Sequence, residues 1–429
     1  MEKFNKKDFN YNVSIFIKDY PFFYNNQKIF WFWDKDMFMW KIVDEIDILN
    51  KLKNFYLQED ILENNSQISN YITAMKMQGR ENIPKDAPKK WIQFKDKAFS
   101  LKSGKIYNIE SNYFFTNPIP HKMGKSSKTP VMDKLFKEWV GENFVKTLYE
   151  LIAYCCYQDY PIQTLFCLFG GGRNGKGCFL KLIAKFIGSD NICSTDLGAL
   201  VGFGRSRFET FKLYKKLVCM MGETDFSKLE SSSVIKKLTG GDLINFEMKG
   251  KTPFDDYNYA KMIIASNSLP KSDDTSDGWY RRWLIIDFPN DFPEGKDILE
   301  TIPEYEYENL ARKVTGIIPN LIKNGNFTNQ GNFEQRKERY ISCSNPIREF
   351  LDIYTEDNVE EFIEFNILFK KYNTYRRKKK QRILMRKEFY LVLEEEGLFS
   401  RRTFIGNGNL SIVDGITLKD IPKQKTLNS

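Results

Sequence analysis

Apolar and polar positions change their spacing several times along the first part of the chain. Residues 28–43 carry aromatic side chains on both sides of the polar turn Asp34-Lys35-Asp36, which predicts a two-stranded hairpin. Residues 44–64 then place apolar side chains at helical spacing, which predicts a helix. We interpret the hairpin as packed on that helix. A stacking surface for nucleic-acid bases stays open as the alternative.

A second group of elements is predicted further along the chain. Residues 131–157 have helical spacing, and residues 164–187 indicate a strand, a glycine-rich loop and a helix. Short apolar strands follow at 217–221, 261–265 and 283–288. Strands that alternate with helical segments are typical of an α/β core, and this is the fold class that the pattern predicts.

The last hundred residues are more strongly charged, and their densest basic run is Arg376-Arg377-Lys378-Lys379-Lys380. A helix near 386–396 and short strands near 399–404 and 410–413 suit a winged-helix-like module. The sequence is therefore divided into an N-terminal mixed α/β module, a helical domain, an α/β domain that contains the glycine-rich loop and a C-terminal module, at 1–110, 111–160, 161–335 and 336–429.

Composition limits the classes of function. In a chain of 429 residues, 65 Lys and Arg exceed 56 Asp and Glu, and the formal net charge of +9 favours a polyanionic partner such as nucleic acid. His121 is the single histidine, which excludes a multi-histidine metal centre and leaves almost no room for a His-based triad. The seven cysteines contain no C-x-x-C pair, which predicts reduced thiols.

Targeting segments are not visible either. The sequence has no signal peptide and no apolar run near ~18 residues, so we expect neither secretion nor a membrane span. The expected location is the cytoplasm, which is that of the host cell if the protein is viral.

The glycine-rich loop is the most informative segment of the sequence. It follows G-x-x-x-x-G-K between an apolar strand and a helix, the setting in which backbone N–H groups and a helix N-terminus bind phosphate. Gly177 stands where the motif usually has the Ser or Thr that binds Mg²⁺, and the thiol of Cys178 is a poor substitute. The predicted nucleotide-binding residues are Gly170, Gly171, Gly172, Arg173, Asn174, Gly175, Lys176, Gly177 and Cys178.

Three later segments add candidate chemistry. The strand at 217–221 leads to Glu223, placed to polarise a water, and to Asp225, which could share a Mg²⁺ shell. Asn267 ends the next strand and either senses a γ-phosphate or is an ordinary turn residue. Arg281 and Arg282 precede the strand at 283–288 and either complete a neighbouring subunit's site or form an ordinary surface pair.

A basic turn offers a nucleic-acid contact. Residues 243–252 indicate a strand that leads into Lys249-Gly250-Lys251, and a lysine contacts backbone phosphate without reading base sequence. A solvated hairpin tip is the alternative. Lys236 and Lys237 precede this segment and could support the same contact.

In this order, the four elements resemble those of the superfamily 3 helicases, and more narrowly the helicase portion of poxvirus-type and phage primase-helicases and primase-polymerases. The resemblance is strong from about residue 114 to 289 and weaker on both sides. No primase signature is present. Four segments carry the match: the phosphate loop, Ser233–Asp242 with Pro253-Phe254, Ile264–Pro270, and Tyr280-Arg281-Arg282-Trp283.

The resemblance implies a P-loop AAA+-like ATPase core that uses ATP and Mg²⁺. It makes Lys176 the phosphate-loop lysine, Glu223 the catalytic base and a metal-site residue with Asp225, and Asn267 the sensor. Arg282, with Arg281 as second choice, is the arginine finger that acts on a neighbouring subunit. It also implies a ring, expected to be hexameric, whose hairpin lysines Lys249 and Lys251, with Lys237, contact DNA.

Two function classes follow from these observations. The first is an ATP-dependent DNA helicase or replication ATPase that acts on single-stranded or forked DNA, together with a primase or polymerase module in the same or another chain. The second is a DNA-binding and oligomerisation module of a replication protein with weak or absent ATPase activity. Two glycines at positions that usually help to bind the metal, Gly177 and Gly222, keep the second class open.

Overall fold

A computed structural model describes residues 4–57, 59–95, 97–201, 208–222, 232–270, 272–293, 298–378, 383–405 and 408–419. The predicted residues Glu223 and Asp225 lie outside the described residues, as do Lys379 and Lys380 of the basic run. Within the described ranges, no helix has both the length and the apolar character needed to cross a bilayer.

The N-terminal part packs helices against a small antiparallel sheet of order β1–β2–β3. Asp44 precedes the second helix, and its carboxylate accepts a hydrogen bond of 2.8 Å from the amide of Asp47, which caps the helix. The predicted hairpin and the helix after it are confirmed. The elements are α1 (Phe9–Asp19), β1 (Phe22–Tyr24), β2 (Phe30–Asp34), β3 (Met39–Val43), α2 (Glu45–Tyr56) and α3 (Asn65–Glu81).

The aromatic side chains of this hairpin are packed on both faces of the sheet. Phe30 and Phe32 share a buried cluster with residues of α2 and α3. On the other face, Trp31 and Trp40 are each only 2% exposed, and the ring of Trp31 lies 4.8 Å from that of Phe114. The packing interpretation fits this arrangement, because burial leaves these rings no free face on which bases could stack.

The region that follows contains two small sheets and a pair of helices. Pro130 opens the first helix of the pair, and the side chain of Glu306 accepts hydrogen bonds from the amides of Val131 (2.9 Å) and Met132 (3.0 Å) at this end. This fully buried carboxylate satisfies N–H groups that the helix itself leaves unpaired. The elements are β4 (Lys85–Asp86), β5 (Trp91–Gln93), β6 (Lys97–Ser100), β7 (Ile106–Asn108), β8 (Tyr113–Phe114), α4 (Pro130–Val140) and α5 (Val145–Cys155).

The centre of the molecule is a parallel sheet of order β10–β11–β14–β9–β15. The glycine-rich loop therefore leaves a strand inside the sheet, at the edge where the carboxyl ends of the parallel strands meet. Open α/β sheets bind ligands at this edge. The predicted α/β class is confirmed. The elements are β9 (Leu165–Phe169), α6 (Lys176–Ile187), β10 (Ile192–Ser194), α7 (Leu197–Val201), β11 (Val218–Met221), α8 (Ser233–Gly240), β12 (Leu243–Phe246), β13 (Phe254–Tyr257), β14 (Lys261–Ser266), α9 (Asp277–Tyr280) and β15 (Trp283–Asp287).

The predicted basic hairpin is formed by β12 and β13, which pair antiparallel from Leu243 with Tyr257 to Phe246 with Phe254. The end of the hairpin next to the turn is anchored, because the ring of Phe246 lies 5.3 Å from that of buried Tyr214.

The C-terminal part has a hydrophobic cluster of its own and an antiparallel sheet of order β16–β18–β17. Strand β16 was not predicted, because its sequence TEDNVEEFIE is charged and most of its side chains are exposed. The elements are α10 (Glu304–Asn324), α11 (Phe333–Ser344), α12 (Pro346–Tyr354), β16 (Thr355–Glu364), α13 (Phe365–Lys378), α14 (Arg386–Glu395), β17 (Ser400–Ile405) and β18 (Gly408–Leu418).

Candidate nucleotide-binding site

The glycine-rich loop is closed around the ammonium group of Lys176, which is the first residue of α6. This Nζ donates hydrogen bonds to the carbonyl oxygens of Gly170 and Gly171 (3.0 Å for Gly171) and to Oδ1 of Asn267 at 3.2 Å. Lys176 is 6% exposed. The structure thus brings together two residues that the sequence separates by 91 positions.

Two glycines of the loop are required by close contacts. Gly170 has φ +152°, and a Cβ there would lie 2.6 Å from the carbonyl oxygen of Phe288. Gly175 has φ +91°, and a Cβ there would lie 2.5 Å from the indole Cδ1 of Trp139. Side chains at either position would push the loop away from the core, so these glycines fix the course of the backbone. Asn174 adds a hydrogen bond of 3.1 Å from Nδ2 to the Phe288 oxygen.

The position after the lysine is open. A Cβ built on Gly177 meets no atom of the described residues within 4 Å, so the site lacks a hydroxyl but has room for one. The next side chain along α6 is that of Cys178, which is partly exposed. Among the described residues, no group of three His, Cys, Asp or Glu side chains could hold a metal ion. A Mg²⁺ ion would therefore have to come with the nucleotide or be held by residues such as Glu223 and Asp225, outside the described residues.

A cavity of about 440 Å³ opens beside Gly170 and Gly171. Its walls include the apolar residues Val140, Phe144 and Phe288. This lining could not be expected from the sequence, because these residues come from α4, from the turn after it and from the segment that follows β15. The apolar wall and the neighbouring polar loop together resemble the mixed lining that small-molecule sites commonly have.

An ion pair that the sequence did not indicate borders the same cavity. Arg339 of α11 pairs with Asp287 at the carboxyl end of β15, and its guanidinium lies 5.6 Å from the centre of the Phe169 ring. Neither residue belongs to a recognisable motif, and α11 is a largely polar helix. Only the fold places this arginine next to the loop.

The two candidate arginines differ sharply in their surroundings. Arg282 is 6% exposed, and its guanidinium donates to Oγ1 of Thr239 at 2.9 Å and to the carbonyl oxygens of Gly278 and Lys236. Burial, and secondly the neighbouring charge of Arg281, lower the pKa of Arg282. Arg281 is exposed, and its Nη2 donates to Gln163 at 2.7 Å. Arg281 therefore has the exposed guanidinium, whereas that of Arg282, the first choice implied by the resemblance, is buried within its own chain.

Both arginines lie at the opposite edge of the sheet from the phosphate loop of their own chain. They precede β15, whose first residue Trp283 pairs with Leu165 and whose last residue Asp287 pairs with Phe169 at the loop. A strand of this length spans roughly 15 Å. Neither arginine can reach the loop of its own chain without a large rearrangement.

The candidate DNA-binding lysines are all on the surface. Lys249 and Lys251 flank Gly250 at the hairpin tip, where the amide of Lys251 donates to the Met248 oxygen at 3.0 Å and Gly250 has φ +75°. Lys237 is exposed on α8. Its neighbour Lys236 is instead held by Asp274 at 2.5 Å and by Ser276 at 2.8 Å.

Comparisons with known proteins cover both the site and the whole chain. A protein-family model described as a family of unknown function, DUF5906, matches residues 168–282. No curated protein matches the chain. The apo structure of the NrS-1 C-terminal region, residues 305–718, aligns with 96% of this chain and 100% of its own, at 13% identity and a TM-score of 0.53. An A-form apo structure of the same region aligns over the same shares at 12% identity and a TM-score of 0.47.

The first of these alignments shows that the chain shares the overall fold of the NrS-1 C-terminal region. The family match includes the loop lysine Lys176, the basic hairpin and both Arg281 and Arg282. The candidate nucleotide site and the candidate DNA contact thus fall within one matched segment.

Proposed function

We propose that the chain is an ATP hydrolase that drives movement along DNA, as the helicase part of a phage-type or virus-type replication protein. The observation that carries this proposal is the meeting of Lys176, the glycine loop and Asn267 at the carboxyl edge of a parallel sheet. The fold shared with the NrS-1 C-terminal region supports the proposal. A second support is that β9, the strand that leads into the loop, lies inside the sheet, as expected of an AAA+-like P-loop core.

The residues of the chain have separate tasks in this proposal. Lys176 exchanges its loop carbonyl partners for phosphate oxygens, while the loop amides and the N-terminus of α6 stabilise negative charge. Bound ATP with Mg²⁺ supplies the phosphoanhydride bond that water cleaves. Asn267 orients that water or the terminal phosphate. Glu223 keeps its proposed role as the base, with Asp225 toward the metal. The cavity beside the loop accepts the base of the nucleotide against its apolar wall.

Gly177 favours a second candidate function, a DNA-binding and assembly module with weak or absent ATPase activity. Mg²⁺ prefers oxygen ligands, and the chain offers none at this position. In that case the ring and the DNA contact remain while turnover is slow. The two candidates differ in one measurable quantity, the Mg²⁺-dependent rate of ATP hydrolysis with and without single-stranded DNA.

Gly177→Ser is expected to strengthen nucleotide binding several-fold in the presence of Mg²⁺ and to have little effect in EDTA. The space around a Cβ at this position admits the new side chain, and its hydroxyl supplies the missing oxygen ligand. Titration of a fluorescent ATP analogue with and without Mg²⁺ measures the effect. Gly316→Ser is the matched control, because a Cβ there also meets no atom within 4 Å but lies in α10. Equal affinities for wild type and Gly177→Ser in Mg²⁺ would contradict the assignment.

The ring arrangement is tested with two inactive variants. Arg281→Ala and Lys176→Ala should each abolish turnover, but a mixture should regain some, because one interface then combines an intact loop with an intact arginine. Specific activity of the wild type should also rise with protein concentration. Arg282→Ala is expected instead to lower the melting temperature, because it removes a buried guanidinium that satisfies several oxygens. A mixture that stays inactive, or a monomer that turns over at full rate, argues against Arg281.

Replacing both Lys249 and Lys251 with alanine should weaken binding of single-stranded DNA and remove its stimulation of ATP hydrolysis. The slope of log Kd against the logarithm of the salt concentration should decrease by about 1.4, because two phosphate contacts on a single strand are lost. Basal ATPase and assembly should persist, because the hairpin supplies no group to the phosphate loop. Lys102→Ala with Lys105→Ala, another exposed pair, is the control. Unchanged DNA binding by the hairpin variant would mean that the tip is only a solvated turn.

A further inference from the structure

The C-terminal part contains a groove that the proposed nucleotide site and hairpin do not use. It has a volume of about 520 Å³ and lies between the first turn of α14, the edge strand β17 and the central strand β18. Four cationic side chains line it, and the described lining includes no acidic one. They are Arg386 and Lys387 from α14, and Arg401 and Arg402 from β17.

These four cations are held in different ways. Arg401 is bound to Asp414, with Nη2 donating to Oδ1 at 2.9 Å, so this pair is neutral. Arg386 donates to Oδ1 of Asn366 at 2.5 Å, and its guanidinium lies 4.9 Å from the centre of the Phe365 ring. Neither contact neutralises the charge of Arg386, but both fix its position beside the groove.

Lys387 and Arg402 are exposed, and neither has a carboxylate partner among the residues described here. Their charges, with that of Arg386, leave the groove strongly positive. The hydroxyls of Ser400 and Ser411 also line it and can donate hydrogen bonds. A ligand for this groove must therefore be anionic and rich in acceptor oxygens.

The placement of the charges on two elements narrows the class of ligand. Arg386 and Lys387 lie at the N-terminal end of a helix, where the helix dipole also favours anions. Arg402 lies opposite, on a strand that pairs antiparallel with β18 at Ser411. Two rows of phosphates border each groove of duplex DNA, and the major groove admits a helix. A helix end and a neighbouring strand that both carry cations can contact these two rows together.

We infer that this groove binds the phosphate backbone of duplex DNA. The site is separate from the hairpin, which is proposed for single strands, and from the basic run at Arg376–Lys378 on α13. It adds a duplex contact to the proposed action on forked DNA, but does not depend on ATP hydrolysis. A fork would then be held at two places, with its duplex at the C-terminal part and its single strand at the hairpin.

The test compares duplex and single-stranded probes. Lys387→Gln with Arg402→Gln in the full chain should weaken binding of a 20-base-pair duplex by about tenfold at moderate salt, and lower its salt slope by about 1.8 units. Binding of a 20-nucleotide oligothymidylate should change less than twofold. Lys370→Gln with Arg377→Gln is the matched control, because it removes the same charges from exposed positions on α13.

Each result decides the assignment. Loss of duplex binding by the groove variant alone supports it. Unchanged duplex binding, an equal loss in the α13 control, or an equal loss on oligothymidylate overturns it. Basal ATPase is measured in parallel, and an inactive wild type would remove the proposed ATPase function without affecting the duplex result.

Discussion

Lys176→Ala is expected to reduce ATP turnover by roughly 10²–10³-fold or more, because it removes the ammonium group that the loop encloses and that would neutralise charge on the terminal phosphates. Affinity for a fluorescent ATP analogue should also fall. The fold should be little affected, since the hydrogen bonds described for its Nζ go to the loop and to Asn267. Turnover by a coupled phosphate-release assay and melting temperature by circular dichroism check the two statements.

Lys181→Ala is the control for this experiment, because Lys181 is exposed on the same helix α6. It should hydrolyse ATP as the wild type does. Wild-type turnover in Lys176→Ala would remove the nucleotide site from the proposal. Loss of turnover together with the melting transition would mean that Lys176 is needed for folding. Turnover and melting of Lys176→Arg, which keeps the positive charge, would then separate the effect of the charge from that of the shape of the side chain.

The second large effect is expected at Lys261, a fully buried lysine at the start of β14. Its Nζ donates to the carbonyl oxygens of Tyr157 (2.5 Å) and Tyr259 (2.7 Å). A neutral amine has two N–H groups, and these two oxygens accept both. The third N–H of an ammonium has no hydrogen-bond acceptor described for it, and the nearest described ring centre is 4.6 Å away in Tyr154. Burial lowers the pKa of Lys261 to about 7, although Cys155 and Asp159 raise it.

The folded chain therefore releases a proton that the unfolded chain keeps up to a pKa near 10.5. Between pH 7 and pH 10.5 the unfolded state therefore binds more protons than the folded state, and the free energy of unfolding rises with pH. The stability contributed by Lys261 is complete above pH 10.5 and is lost as the pH falls toward 7. From about pH 7 to pH 9.5, the free energy of unfolding of the wild type should gain about 2–3 kcal/mol relative to Lys261→Met.

Urea unfolding at several pH values measures this difference. Comparison with the Met variant is essential, because burial also raises the pKa of other groups, including Cys156 and Cys167, and these oppose the trend. Lys102→Met, at an exposed position, should run parallel to the wild type. Parallel curves for Lys261→Met would show that Lys261 keeps its charge in the folded protein.

The strand–loop–helix unit and the basic hairpin could be predicted because their sequences contain the physical cause of their shape. Apolar runs of strand length flank glycines in the first case and a Lys-Gly-Lys turn in the second. Local sequence also suffices for α2, where an Asp stands just before an amphipathic run. These features need no knowledge of distant residues.

Other features depend on distant residues and could not be read from the sequence. Arg281 and Arg282 are chemically identical neighbours, and only the position of Thr239 and the turn at Gly278 decides which of them is buried. Arg339 meets the phosphate loop through the packing of α11. Strand β16 forms although its sequence is highly charged, because its backbone pairs with β18 while most of its side chains stay exposed. The pattern of apolar positions indicates which face of one helix or strand is buried, but it does not indicate which distant residues that element contacts.

The carboxylate of Glu306 has a consequence for synthesis of the chain. It caps α4 from 175 positions further along, and Glu150 of α5 likewise accepts the amide of Thr328 from 178 positions away. At about 5–20 residues per second, a ribosome needs roughly 10–35 s to deliver these partners after the two helices have emerged. During that interval the nascent helices lack their closing contacts and expose apolar faces. We expect the yield of folded protein to depend on chaperones that bind nascent chains, and to fall when translation is paused between codons 160 and 300.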